Sequence, residues 1–201
     1  MDILHENERF IVCIKPAGKT SQGEGKNSLV TDLKEHTGGE IYPVHRLDTA
    51  TSGVMVYAKT KETAADITRQ ITENTFKKTY LALVHGTPEP EKGDMEDFLF
   101  KDSKKNKSFV VKKERKGVRK ASLSYEVIEK RGDLSLVKIH LRTGRTHQIR
   151  VQFASRKHPV FGDGKYGASD NVPYIALYSH EITFTDPVSG KKMTFTGGRW
   201  P

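Results

Sequence analysis

Residues 44–56 read VHRLDTATSGVMV, and within them one acid, Asp48, follows His45 and Arg46 and precedes Thr49, Thr51, Ser52 and Gly53. Such an aspartate has two readings. It closes a turn, its carboxylate accepting from the N–H of Ala50 or Thr51. Alternatively it is an acid on a tight turn, aimed into a groove as nucleophile or base. The second role needs a carboxylate, and a buried carboxylate keeps its charge only where a cation or hydrogen bonds compensate. A source of that cation is LRTGRTHQIR, residues 141–150, with Arg142, Arg145 and Arg150 beside His147 and Gln148. As a surface helix this run means little. Its chemical value depends on one arginine turning inward, where the planar fork grips a carboxylate with two bonds. The third stretch is KKTYLALVHG, residues 77–86, in which Tyr80 alternates with apolar neighbours. Tyr80 is then a core aromatic, or a ring on a groove-facing strand that stacks on a nucleobase, a contact worth about 1–3 kcal/mol.

These groups need elements to hold them. RFIVCIKP reads as a strand, ended by the Pro and Gly of KPAGKTSQG. NSLVTDLKEHTGG reads as a short helix, with Asn27 or Ser28 at its N-cap and glycine at its stop. GVMVYAKT is a strand, and KETAADITRQITEN a helix capped by Thr60 with Ala64, Ile67 and Ile71 on one face. KTYLALVHG, ASLSYEVIEK and DLSLVKIHL are strands, the last two joined by an RGD turn. THQIRVQFASRKH is ambiguous: Ile149, Val151 and Phe153 alternate as in a strand, while its length suits a helix. EITFTDPVSGKKMTF forms a closing hairpin. Many strands with irregularly interspersed helices give an α+β fold, with a largely antiparallel or mixed central sheet flanked by helices and loops. No linker divides the 201 residues, so one domain over residues 1–201 is expected.

Charge narrows the partner. Lys and Arg number 34 against 25 acidic residues, a net +9, and residues 101–120 alone hold ten basic and two acidic side chains. Lys104, Lys105, Lys112 and Lys113 lie there, interrupted by SFVV, so a hairpin with basic flanks is expected. Clustered cations release counterions from a nucleic acid without reading its sequence. The block is equally readable as a solvated face. No apolar stretch is long enough to span a membrane and no secretory leader opens the chain. The lone Cys13 excludes an internal disulfide and reads as a buried thiol in a cytosolic protein. Eight histidines show no HxH, HxxxH or HExxH spacing, so no metal is expected. DGKYG and GKT lack a full P-loop, and GxSxG is absent.

Taken in order, HRLDTATSGVMVYAK, KKTYLALVHG and LRTGRTHQIRVQFA resemble the three signatures of the RluA family of pseudouridine synthases. The KPAG opening, HPVFGDGKYG and LYSHEITFTDPVSGKKMTF continue the likeness over almost the whole chain, with Ile14 where the family usually writes asparagine. The resemblance implies a pseudouridine synthase catalytic domain with a central RNA-binding cleft, without the N-terminal S4 domain that many relatives carry. It implies isomerisation of uridine in structured RNA, an rRNA or tRNA stem-loop, through breaking of N1–C1′ and rejoining through C5, with no cofactor. Asp48 matches the catalytic aspartate, which attacks C1′ or removes the C2′ proton. Tyr80 matches the tyrosine that stacks on the target base, Arg150 the arginine that pairs with the acid, and Arg46 the residue filling the gap left by the everted uridine. His45, Arg145, His147 and the four lysines are the expected RNA-binding groups. A monomer without an obligatory protein partner is expected. A non-catalytic RNA-binding or chaperone module on the same scaffold is the alternative reading.

Overall fold

The computed structural model describes residues 2–198. In chain order these form β1 (Asp2–Glu6), β2 (Phe10–Lys15), α1 (Leu29–Thr37), β3 (Tyr42–Pro43), β4 (Ser52–Ala58), α2 (Lys61–Thr72) and β5 (Lys77–His85). There follow β6 (Lys92–Asp102), β7 (Lys107–Val111), β8 (Val118–Arg131), β9 (Leu134–Leu141), α3 (Gln148–Ser155), β10 (Leu177–Thr185) and β11 (Lys192–Thr196). The described residues divide into two compact units, one of residues 2–78 and 178–198, the other of residues 79–177.

In the first unit β1, β2, β4 and β10 lie side by side, with β11 on β10 and β3 on the far end of β4. All these pairings are antiparallel except β4 with β10, which runs parallel through Tyr178↔Ser52 and Ser179↔Gly53. The apolar runs of β2 and β4 show no alternation because both faces are covered. Phe10, Val12, Val54 and Val56 join Ile67 of α2, Phe76, Ile182 and Phe184 in one core. Their neighbours Ile11, Cys13, Met55 and Tyr57 point the other way and are equally buried. Burial pushes the Cys13 thiol up to about 12. The expected helix signals hold: Ser28 Oγ accepts from Val30 N, Gly38 ends α1 at φ 66, and Thr60 Oγ1 accepts from Thr63 N. Gln70 of α2 pairs both backbone groups of Thr185, at 2.8 Å each, and so ties the helix to β10.

In the second unit the strand order is β5-β9-β8-β6-β7, antiparallel throughout. β6 and β7 form the hairpin expected around SFVV, and β8 and β9 turn at Gly132 and Asp133. α3 resolves the ambiguous stretch as a helix. Residues 148–153 are all buried, which is why its apolar positions gave no single face. Leu99, Ala121, Val151 and Tyr166 form the core between sheet and helix, with Ala154 packed against it. The fold is thus α+β with mixed strand pairing and few helices, as the residue patterns implied.

Candidate active site

The Asp48 turn belongs to the first unit and is mounted on the loop that follows β2. Gly18 N donates to the Thr49 carbonyl at 2.8 Å. Ser21 Oγ donates to the Leu47 carbonyl (2.9 Å) and accepts from Leu47 N (3.1 Å), while Tyr57 Oη holds the Ser21 carbonyl at 2.9 Å. Lys15 is fully buried, and its Nζ donates to the carbonyls of Pro16, Lys19 and Thr49 at 2.9, 2.7 and 3.2 Å. An ammonium has three N–H donors, and here each has an acceptor. Burial pushes Lys15 down to about 8, with the charge of Asp48 opposing the fall. The turn itself is closed by the main chain, since Thr51 N donates to the Asp48 carbonyl at 3.0 Å. Asp48 is half-buried, held in reach of solvent by a rigid seat.

Beyond the turn, Gly53 has φ +123, and a Cβ there would fall 2.3 Å from the Ser179 carbonyl oxygen. Only glycine lets β4 approach β10 this closely. His45 lies on the entry side. Its Nε2 accepts from Val56 N at 3.2 Å, and burial, helped by the charge of Lys78, pushes its imidazole down to about 3. A neutral ring that accepts at Nε2 carries its proton on Nδ1. His45 therefore fixes the turn to β4 and presents no cation, whereas Arg46 is exposed.

The second unit holds Tyr80 and the arginines. Tyr80 is buried on the β5 face that also carries Ala82 and Val84. Of the three arginines of 141–150, Arg150 alone is buried. Arg142 pairs with Asp94 at 2.6 Å on the surface, and Arg145, also exposed, donates through Nε to the Lys120 carbonyl at 3.0 Å. Gln148 folds the segment before α3, accepting from Thr143 Oγ1 and Arg145 N and donating to the Ser122 carbonyl. Arg150 grips Asp163 with a fork, Nε to Oδ2 at 2.6 Å and Nη2 to Oδ1 at 2.8 Å. Its guanidinium carbon stands 5.1 Å from the centre of the Tyr166 ring. His147 is buried at φ 54, with Nδ1 2.9 Å from the Tyr166 hydroxyl, which also accepts from Ser108 N at 2.8 Å. Lys104, Lys105, Lys112 and Lys113 are exposed around the β6–β7 hairpin.

Reading the sequence missed Lys15, Ser21, Asp163 and Tyr166 as working parts. KPAGKTS was read only as a loop, and DGKYG only as an incomplete P-loop and as a stretch continuing the family likeness. The signal was a Lys at the end of an apolar strand, where a charge has no solvent and must find carbonyls. Among the described residues no three metal-donor side chains converge.

The profile of the RNA pseudouridylate synthase family matches residues 9–155, which take in the Asp48 turn, the Tyr80 strand and Arg150. An RNA pseudouridine synthase of Synechocystis is 33% identical over 96% of this chain, which spans 64% of that protein's length. The dual-specificity RNA pseudouridine synthase RluA of Escherichia coli K12 is 35% identical over 96% of this chain and 90% of its own. In fold the chain is similar to human RNA pseudouridylate synthase domain containing 1, with a TM-score of 0.81 at 24% identity, covering 98% of this chain and 83% of that one. On the length of that profile match and on these identities, the chain belongs to the RNA pseudouridylate synthase family, isomerases that convert uridine to pseudouridine in RNA.

Proposed function

We propose that this protein isomerises specific uridines of an rRNA or tRNA stem-loop, with Asp48 acting at the sugar, Tyr80 at the base and Arg150 as the cation that compensates the acid. The N1–C1′ bond breaks, the base turns, C5 bonds to C1′, and the proton of C5 passes to solvent while N1 gains one. The observation that carries this reading is the mounting of the Asp48 turn, fixed at Leu47 and Thr49 by Lys15, Gly18 and Ser21. A group that must meet one atom of a flexible substrate gains most from a mount prepared in advance.

A base stacked in a helix is out of reach, so the uridine is everted at a cost of a few kcal/mol. Arg46, exposed on the same turn, offers a plane to replace the lost stacking. Arg145 and the four lysines of the β6–β7 hairpin supply phosphate contacts. His45 and His147 serve by fixing the backbone on which Arg46 and α3 depend, since both are buried or tied to the chain itself. The reading treats residues 1–201 as one catalytic domain acting as a monomer; in its support, the family profile runs through the boundary between the two units.

The test uses RNA tritiated at uridine C5. Incubation with the protein should release label to water, and Asp48→Asn should abolish release while leaving the RNA dissociation constant within about threefold, roughly 0.7 kcal/mol. Turnover retained in Asp48→Asn would falsify the assignment. Tight RNA binding with no C5 release by the wild type, across rRNA and tRNA, would instead mark a non-catalytic binding module.

A further inference from the structure

Arg150 is constrained from two directions by residues that the functional reading leaves idle. Asp163 takes the Nε and Nη2 edge of the guanidinium, with both side chains almost fully buried. The guanidinium carbon lies over the Tyr166 ring, 5.1 Å from its centre. A two-bond fork stops the group from turning within its plane, and an aromatic ring packed against the guanidinium restricts its remaining motion. Together they fix the direction in which the Nη1 end points.

The ring is itself anchored. Ser108 N donates to the Tyr166 oxygen at 2.8 Å, and His147 Nδ1 lies 2.9 Å from the same oxygen. His147 precedes α3 in a left-handed conformation that a side chain seldom adopts without support. Ser108 Oγ donates to the Thr146 carbonyl at 2.7 Å and holds the same corner. Asp163 and Tyr166 lie three residues apart around a single turn, Gly164–Tyr166, so one short element delivers both constraints. Lys107 places its ammonium 5.0 Å from the centre of the same ring, which ties the basic hairpin to this corner.

We propose that Asp163 and Tyr166 are positioning residues of the isomerisation, setting the orientation of Arg150 and so the rate of the chemical step, with little part in holding RNA. This rests on the role given to Arg150 above. A conventional buried ion pair would serve stability alone, and the difference is measurable.

Single-turnover rates and RNA dissociation constants are to be measured for Arg150→Lys, Asp163→Asn, Asp163→Glu, Tyr166→Phe and the double variant Tyr166→Phe/Arg150→Lys, each checked for cooperative unfolding. Folded Asp163→Asn should lose about 10–100-fold in rate with the RNA dissociation constant within about threefold, and Asp163→Glu should recover part of the loss. Tyr166→Phe keeps the ring and loses the anchor, so it should lose about 3–10-fold, and it remains informative where Asp163→Asn does not fold. In the Arg150→Lys background the Tyr166→Phe loss should vanish, because no guanidinium remains to orient. Wild-type rates in Asp163→Asn or Tyr166→Phe, or a full additive loss in the double variant, overturn the proposal. A wild-type rate in Arg150→Lys instead overturns the role of Arg150, and is told apart because that variant is scored alone.

Discussion

Lys15 is a charge placed where an apolar residue would be expected, and its stability consequence has a definite sign. In the folded protein it titrates near 8, below its ordinary value of 10.5, because burial disfavours the ammonium. The unfolded chain therefore binds more protons between those values, and stability rises with pH across that window. Below about pH 8 the ammonium is charged in both states and its burial is a full cost, offset by three carbonyl bonds. Urea unfolding of wild type and Lys15→Met at pH 7, 8, 9 and 9.5 should show wild type gaining on the variant above pH 8, by up to about 1.4 kcal/mol per pH unit. A constant difference over that range would mean that Lys15 keeps its proton throughout. The variant also strips the Thr49 carbonyl of a donor, so turnover should drop even where the fold holds. His45 follows the same logic: a ring whose proton affinity is pushed down to about 3 stays neutral at any pH where RNA is handled.

At the level of elements, Gly53 decides how β4 reaches β10. Gly53→Ala puts a methyl 2.3 Å from the Ser179 oxygen and 2.5 Å from its nitrogen, at a φ of +123 that alanine resists. Backbone strain of ~1–3 kcal/mol and overpacking of similar size act together. A loss of about 2 kcal/mol or more is expected, roughly 4–8 °C in Tm for a chain of this length. Wild-type Tm by calorimetry would show that the two strands separate at little cost. α1, α2, β2, β4, β5 and the three hairpins were legible because each has a cap, a turn or a covered apolar run. β1 and β6 were not. β1 is a five-residue strand with its side chains facing mostly solvent, so it has no apolar rhythm to read. In β6 only Met95 and Leu99 are fully buried, four residues apart, and the strand exists because β7 and β8 pair with it on either side. Of the proposed site, Asp48, Tyr80 and Arg150 were named through the family resemblance, the residues alone leaving three arginines open, of which Arg150 is the buried one. Their supports could not be named, because Asp163 and Lys15 act through contacts 13 and 34 residues away in sequence.

Over the whole molecule, the excess of nine positive charges falls largely on residues 101–120, which edge the sheet of the second unit. Each phosphate contact contributes about 0.7–0.9 to the slope of log affinity against log salt. Changing Lys104, Lys105, Lys112 and Lys113 to Gln should flatten that slope by up to about 3 in filter-binding titrations, with single-turnover chemistry at saturating RNA preserved. An unchanged slope would return the hairpin to the role of a solvated rim. Against this reactive surface stands Cys13, whose sulfur is sealed inside the first unit. Near neutral pH hardly any of it exists as the anion that alkylating reagents and peroxides attack. The wild-type chain is accordingly a silent background for maleimide chemistry. One introduced surface cysteine would take a fluorophore cleanly, so that RNA binding can be read at a chosen position with no native thiol to remove.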